Sequence, residues 1–182
     1  MNQSPEKAVY LVFVGPIDQQ NAQRIGQSLN AALSDGNSQI HLMIQSAGGG
    51  VGEGVFLYEI LRSLPVAVTT YNCGQVCSAA VLAFLGGQSR VCSTSGLFMI
   101  HPTHFSPQFA FSGTLMRLAD TALLEDARIE EIYGRHITLS SEQKAVHAVS
   151  DLWLGADEAM KIGLATEVGG FSIPPGYRPY FI

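Results

Sequence analysis

The chain has 182 residues, a formal net charge of −5 and 47% hydrophobic residues, which suits one globular domain with a sizeable core. Lys and Arg number only 10, so the chain lacks the basic face that phosphate binding requires, and we expect no nucleic-acid partner. No apolar stretch is long enough to span a bilayer and no basic-then-apolar signal precedes Ala8, so we expect a cytoplasmic protein without a membrane anchor.

Apolar strands and amphipathic helices alternate through the first third of the chain. The apolar run Ala8–Val14 predicts the first strand, and helical periodicity predicts helices over 19–34 and 52–63. Between those helices, residues 40–45 predict a strand that runs into Ser46, Ala47 and three glycines. Glycines let the backbone approach a ligand closely, although a flexible strand-to-helix turn is the simpler interpretation of this segment.

A serine stands at the start of an apolar run. Residues 74–84 form a glycine-led turn followed by a predicted core helix over 79–84, which places Ser78 in the first turn of that helix. Amides in a first turn lack intrahelical partners and can hold an oxyanion, as a serine nucleophile requires. Serine is also a favoured N-cap, and on this segment alone the N-cap is the commoner case.

The second half of the chain adds an apolar strand, a long helix and a tail. The strand predicted at 96–100 ends in His101, and a single histidine at a strand end is usually structural. Periodicity predicts a helix from Thr114 to about Gly134, and no linker or repeat divides the chain, so we expect one domain over 1–182. Residues 171–182 are rich in proline and aromatic residues. An irregular tail packed on the same domain is the commoner case, and docking on a neighbouring subunit is the alternative.

The order of these segments resembles the Clp protease proteolytic subunit. That family has a Ser-Pro-Gly-Gly turn, a Gly-Gln-Ala-Ala-Ser-Met turn and a Met-Ile-His strand end, which here correspond to 46–49, 74–79 and 99–101. Its Asp-Arg-Phe-Leu-Ser-Ala segment resembles 151–156. The resemblance extends roughly over 8–168 and implies an α/β fold, a crotonase/ClpP-like spiral of stacked ββα units with a protruding handle helix in a handle region at about 103–150.

The resemblance also implies a catalytic triad. Ser78 would be the nucleophile, His101 the general base and acid, and Asp151 the carboxylate that orients the imidazole. Each role has a physical reason, because serine needs a base to accept its proton and the base needs one fixed tautomer. Cys77 adjoins the serine as an alternative nucleophile that we rank lower. The rival carboxylates are Asp120, Asp126 and Asp157, which we expect to be solvated or near helix ends.

The glycine-rich turn would complete the site. The amides of Gly49 and Ala79 would be the oxyanion donors, and Gly49, Gly50 and Val51 would form the substrate-binding edge that pairs with an extended peptide. The odd number of cysteines and their spacing suggest neither a disulfide framework nor a zinc site, and we expect no metal and no cofactor. The remaining histidines are expected at the surface or in the handle: His104, His136 and His147.

The implied function is a serine endopeptidase that cleaves peptides or unfolded proteins through an acyl-enzyme in a closed homo-oligomeric chamber, a ring of heptamer type. No phosphate-binding G-x-x-x-x-G-K-[ST] loop is present, so ATP hydrolysis, if the reaction needs it, must occur on a separate protein. The resemblance implies that this partner would be an AAA+ ATPase unfoldase. The chain departs from the family pattern at Ala47, at Pro102 directly after the histidine, in the aromatic segment 103–113 and in a short leader before Ala8. Two alternatives stay open: a non-catalytic ClpP-like ring scaffold subunit and a crotonase-superfamily acyl-CoA enzyme.

Overall fold

The computed structural model describes residues 7–107 and 109–182, so the leader segment lies almost wholly outside the described residues. The strands are β1 Ala8–Val14, β2 Gln39–Gln45, β3 Ala67–Asn72, β4 Gln75–Cys77, β5 Ser89–Cys92, β6 Leu97–Ile100, β7 Leu152–Gly155, β8 Glu167–Val168 and β9 Pro179–Phe181. The helices are α1 Gln19–Ser34, α2 Val51–Ser63, α3 Ala79–Leu85, α4 Ser112–His136, α5 Ser141–His147 and α6 Ala156–Ile162.

A six-stranded parallel sheet forms the main layer, with strand order β8-β5-β3-β2-β1-β9. In its central strands β2 and β3 every second residue is buried, so one face of the sheet packs on the core. β1 pairs with β2 in the register Phe13↔Ile44, and both side chains are almost fully buried. Every residue of α3 is buried, so α3 is a core helix and its first residue has a fixed position.

A second sheet of three strands has the order β4-β6-β7. Ser78, His101 and Asp151 directly adjoin the ends of these three strands at one edge of the sheet. β4 runs parallel to β6, and β7 runs antiparallel to β6. Phe98 in β6 is fully buried, and its ring lies 4.9 Å from that of Phe84 in α3. This packing anchors the small sheet to the core helix.

The handle helix α4 is embedded only near its C-terminal end, where Ile129, Ile132 and Tyr133 are its buried residues. It is followed by α5, which begins with a capping box in which Ser140 and Gln143 satisfy each other's backbone amides. No helix among the described residues is long and apolar enough to cross a membrane.

The predicted α/β fold is confirmed, and β1 and α1 have the predicted bounds. The prediction of an irregular tail is wrong in part, because 179–181 add β9 as a parallel edge strand beside β1. His147 lies in the handle region, one of the two places expected for it, and its side chain is only 9% exposed. The helices α5 and α6 were not predicted, although the capping-box sequence Ser140 to Gln143 indicates the start of α5.

Candidate active site

Ser78 and His101 are brought to the same cavity by two adjacent strands. Cys77, the last residue of β4, pairs with Met99, and the amide of Ser78 donates a hydrogen bond to the Met99 carbonyl at 2.7 Å. His101 directly follows β6, two residues beyond Met99. Ser78 and His101 both line a cavity of about 390 Å³, large enough for part of a peptide.

The backbone of Ser78 is strained. Its φ of 54° and ψ of −129° make it the one non-glycine residue with positive φ in the part of the chain that the structure describes. Such a conformation costs about 1–3 kcal/mol and is concentrated at functional sites. Ser78 precedes α3 at the N-cap position, yet its side chain makes no capping hydrogen bond. The geometry therefore argues against an ordinary N-cap role.

Gly48 holds the backbone close to that serine. A Cβ added at Gly48 would lie 2.6 Å from the Ser78 Cβ and 2.8 Å from the Cys77 carbonyl oxygen, and Gly48 has a φ of +100°. The amide of Gly48 donates to the Oγ of Ser46, which is buried. The contact thus requires glycine, and Ser46 fixes the turn that provides it.

Gly49 and Ala79 both line the cavity, and their amides have no hydrogen-bond partner among residues 7–107 and 109–182. The neighbouring residue Ile17 pairs with the residues on either side of Gly49. The Ile17 amide donates to the Gly48 carbonyl and the Ile17 carbonyl accepts from the Gly50 amide, each at 2.8 Å, so the Gly49 amide makes no hydrogen bond with Ile17. Two unengaged amides beside a serine can stabilise a negatively charged oxygen.

Of the three residues of the predicted peptide-binding edge, Gly49 and Val51 line the cavity and Gly50 does not. The Gly50 amide donates to Ile17, and the Gly50 carbonyl accepts from Gly54 because Gly50 is the N-cap residue of α2. Val51 is already the first residue of that helix and lines the cavity. Gly49 and Val51 therefore remain in contact with the cavity, whereas the backbone of Gly50 is engaged elsewhere.

The His101 ring contacts residues that follow it closely in the chain. Its Nδ1 lies 2.6 Å from the Pro102 carbonyl oxygen and 3.3 Å from Nδ1 of His104, whose ring centroid is 4.8 Å away. A carbonyl oxygen only accepts, so Nδ1 of His101 carries the proton. The neutral imidazole then has its lone pair on Nε2, which is the tautomer that can take a proton from a hydroxyl.

Asp151 directly precedes the neighbouring strand β7. The β6–β7 register pairs Ile100 with Leu152, so one further step along the ladder sets His101 opposite Asp151. Asp151 is exposed and is not part of the cavity lining, and its carboxylate has no hydrogen-bond partner among the described residues. The structure thus brings Ser78 and His101 together and sets Asp151 beside them without a hydrogen bond to the imidazole.

Cys77, the alternative nucleophile, is unsuited to attack. It is buried, and burial, with a smaller contribution from the Asp151 carboxylate, raises the pKa of its thiol. A thiol with a raised pKa remains protonated at neutral pH and is a poor nucleophile.

Sequence reasoning missed part of the cavity wall. His104 and Thr103 follow the strand-end histidine, and the Thr103 amide donates to Asp126 of α4 at 2.6 Å. Asp126, one of the rival carboxylates, therefore binds the backbone of the segment that follows His101. The apolar wall is formed by Val51, Leu82, Ile129 and Tyr133. Helical periodicity over this segment indicated a helix but not the cavity that Ile129 and Tyr133 line.

No group of three or more His, Cys, Asp or Glu side chains in the described parts of the chain could hold a metal ion. The three cysteines are free thiols, of which Cys77 and Cys92 are buried and Cys73 is partly buried. Burial raises the pKa of Cys92 to about 11.

Comparison with known proteins identifies the family. The Clp protease family model matches residues 6–171. An ATP-dependent Clp protease proteolytic subunit of Paracoccus denitrificans is 28% identical over 163 residues, which cover 87% of this chain and 80% of that protein. ATP-dependent Clp protease proteolytic subunit 1 of Rhodopirellula baltica is 30% identical over 162 residues, covering 87% of this chain and 71% of that protein.

The fold has a solved counterpart. A mutant of ClpP1 from Listeria monocytogenes superposes with a TM-score of 0.75, covering 90% of this chain and 91% of that chain, at 24% sequence identity. This similarity concerns the fold, and the sequence matches concern the family. Because the family match spans most of the chain, the protein belongs to the Clp protease family and is a ClpP-type protease subunit.

Proposed function

We propose that the chain is a serine endopeptidase that hydrolyses peptide bonds through an acyl-enzyme on Ser78. The observation that carries this proposal is the strained backbone of Ser78, which shares one cavity with His101 and with the unengaged amides of Gly49 and Ala79. Nucleophile, base and oxyanion donors are the groups that acyl transfer requires. Membership of a protease family supports the same reaction class.

In this mechanism Nε2 of His101 accepts the Ser78 hydroxyl proton while Oγ attacks the substrate carbonyl. The amides of Gly49 and Ala79 stabilise the oxyanion, and each such donor typically contributes about 3 kcal/mol to lowering the barrier. His101 then donates its proton to the leaving amine. Water, deprotonated by the same imidazole, hydrolyses the ester and restores the free serine.

Asp151 is proposed to orient His101 during turnover. Its place opposite His101 in the strand register supports this role. In the structure Nδ1 of His101 donates to the Pro102 carbonyl instead, which fixes the same tautomer. Catalytic hydrogen bonds in free enzymes are often long or misaligned and tighten when substrate binds. A turn of the imidazole from Pro102 toward Asp151 would complete the triad.

The proposed substrate is an extended peptide or an unfolded protein. Val51, Leu82, Ile129 and Tyr133 give the cavity an apolar wall, which suits an apolar side chain next to the cleaved bond. This wall comes from three helices, so small shifts of the handle would change its shape.

Assembly into a homo-oligomeric ring of heptamer type is also proposed, with an AAA+ ATPase unfoldase as partner. The relatives are named ATP-dependent Clp protease subunits. The handle carries large exposed apolar side chains that association could cover: Phe109, Phe111, Leu115, Met116, Leu123 and Leu124. A cytoplasmic location stays a prediction.

A non-catalytic ring scaffold is the second candidate function. The observation that favours it is the pairing of His101 with Pro102 and His104, without a hydrogen bond to Asp151. If this arrangement persisted in the assembled protein with substrate bound, the imidazole would lack its orienting carboxylate.

The test is the hydrolysis of a fluorogenic peptide by the purified assembly. The proposal predicts measurable turnover that falls at least about 1,000-fold in Ser78→Ala, because removal of the nucleophile leaves only the oxyanion donors and binding. Ser95→Ala, at an exposed serine, is the matched control and should retain the wild-type rate. An assembled wild type without turnover would favour the scaffold, and equal rates in wild type and Ser78→Ala would refute the serine mechanism.

A further inference from the structure

A single peptide unit after the proposed base is hydrogen-bonded on both sides. Its carbonyl oxygen, that of Pro102, lies 2.6 Å from Nδ1 of His101. Its N–H, that of Thr103, donates to Oδ1 of Asp126 at 2.6 Å. Because a carbonyl oxygen only accepts, Nδ1 of His101 carries a proton whether the imidazole is neutral or charged. The Asp126 carboxylate, the peptide unit and the imidazole therefore form one hydrogen-bonded chain.

The handle helix α4 places Asp126 for this contact. Asp126 lies three residues before Ile129 and seven before Tyr133, so the three residues share one face of the helix. Ile129 and Tyr133 are buried and line the cavity of Ser78. They hold this part of α4 on the core, so the carboxylate of Asp126 projects from a fixed part of the helix.

The segment that follows His101 has no other polar anchor. Among the described residues, the Thr103 amide is the one backbone group of 102–107 that bonds to another part of the fold. The Thr103 hydroxyl is buried, and it too lacks a partner in the described chain. His104 is exposed, and its Nδ1 lies 3.3 Å from Nδ1 of His101, farther than the Pro102 carbonyl. The orientation of the peptide unit therefore depends on Asp126.

Hydrogen bonds in such a chain strengthen one another. A bond to a carboxylate is charge-assisted and about twice as strong as a bond between neutral groups. It also polarises the peptide, because resonance moves negative charge from the amide nitrogen to the carbonyl oxygen. The Pro102 carbonyl thereby becomes a better acceptor for Nδ1–H of His101. The carboxylate of Asp126 thus acts on the imidazole without touching it.

We propose that Asp126 is a positioning residue that fixes the Nδ1–H tautomer of His101 in the substrate-free protein through this peptide unit. In the neutral ring this tautomer leaves the lone pair on Nε2, the atom that takes the Ser78 proton in the proposed mechanism. Asp126 then acts before substrate binds, and Asp151 acts during turnover. The benefit to catalysis rests on the proposed function, whereas the effect on the tautomer does not.

Magic-angle-spinning NMR of the ¹⁵N-histidine-labelled protein tests the effect on the tautomer, because it requires no turnover and tolerates a large assembly. The chain has five histidines, and the His101 signals are those lost in His101→Gln. In mildly alkaline buffer the wild type should show a protonated Nδ1 and a bare Nε2 at His101. Asp126→Ala should give a mixture of both tautomers, because the peptide unit loses its anchor. Asp120→Ala, at an exposed position on the same helix, is the matched control and should keep the wild-type pattern.

A conservative variant separates this role from a general effect on the handle. Asp126→Asn keeps an oxygen that can accept from the Thr103 amide, so it should retain more of the Nδ1–H tautomer than Asp126→Ala does. The proposal is overturned if Asp126→Ala keeps the wild-type pattern, if Asp120→Ala changes it as much, or if Asp126→Asn retains no more of the tautomer than Asp126→Ala.

Fluorophosphonate labelling shows whether the proposed reaction uses this tautomer. Labelling of Ser78 should be about five-fold slower or more in Asp126→Ala, because only part of the population then has a competent base, and within about two-fold of the wild type in Asp120→Ala. Equal labelling rates in the wild type and Asp126→Ala would overturn the catalytic role of Asp126. A wild type whose His101 tautomer depends on Asp126 but whose Ser78 is not labelled would refute the proposed function and leave the effect on the tautomer intact.

Discussion

A methyl group added at Gly48 is predicted to displace the proposed nucleophile. The new Cβ would lie 2.6 Å from the Ser78 Cβ, whereas ordinary contacts begin at 3.4 Å, so the two backbones must separate by about 0.8 Å. The added Cβ would also lie 2.8 Å from the Cys77 carbonyl oxygen, so it cannot avoid Ser78 by moving toward Cys77. A misplacement of about 1 Å at a catalytic group can reduce the rate roughly 100-fold.

The backbone adds to this effect, because Gly48 has a φ of +100° that side chains disfavour. Strain and overpacking together should lower the free energy of unfolding of Gly48→Ala by about 2–4 kcal/mol. Peptide hydrolysis gives kcat and KM, and urea denaturation gives the stability. We expect the loss mainly in kcat, because the methyl group moves Ser78 rather than the apolar wall.

Gly52→Ala is the matched control. Gly52 is an exposed helical residue in α2, and a Cβ there would meet nothing within 4 Å. It should therefore stabilise the protein by about 0.5–1 kcal/mol and leave activity within about two-fold of the wild type. If Gly48→Ala matched Gly52→Ala in both activity and stability, the close approach of Gly48 to Ser78 would be refuted.

Three further predictions follow from the same geometry. Asp151→Asn should lower kcat about 100-fold or more in the peptide assay, because it removes the charge that orients the imidazolium. The control Asp157→Asn, at an exposed position, should keep kcat within about two-fold of the wild type. Equal rates for the two variants would contradict the role of Asp151. Burial, together with nearby arginines, lowers the pKa of His136 to about 4 from its ordinary value of 6.5, so the unfolded chain binds this proton first. Stability should thus be lost as the pH falls from 6.5 toward 4, by about 1–2 kcal/mol after allowance for solvent screening, and His136→Gln should remove that part of the loss in urea denaturation; identical pH profiles would contradict it. Phe98→Ala, at a fully buried ring, should cost about 3–5 kcal/mol in the same denaturation assay, and a cost below about 1 kcal/mol would contradict the assigned packing.

Local patterns predicted most of the fold. β1 and α1 have the predicted bounds because an apolar run and a regular 3.6-residue period are properties of the segment itself. β9 was missed because its pairing with β1 joins the two ends of the chain, and nothing in a proline- and aromatic-rich segment indicates that partner. The burial of His147 within the handle region depends on a similar long-range contact, since Glu130 and Tyr133, which lie beside it, belong to another helix.

The sequence proposed residues for the candidate site but gave no account of their contacts. The motifs put Ser78 in the first turn of a helix and His101 at a strand end, and the β4–β6 pairing brings both to one cavity. The imidazole of His101 contacts Pro102 and His104 rather than Asp151, and this depends on the rotation of the His101 side chain. Hydrophobic periodicity in the sequence carries no information about that rotation. The contact of Gly48 with the serine is likewise tertiary, although a glycine in that turn permits it.

The central claim is that Ser78 is an activated nucleophile, and covalent labelling tests it most directly. A fluorophosphonate probe should modify the assembled wild type, and peptide mass spectrometry should locate the adduct on Ser78. His101→Ala should lose the labelling, because the serine then lacks its base. Absence of labelling in an assembled and folded wild type, or an adduct on Cys77 instead, would contradict the account.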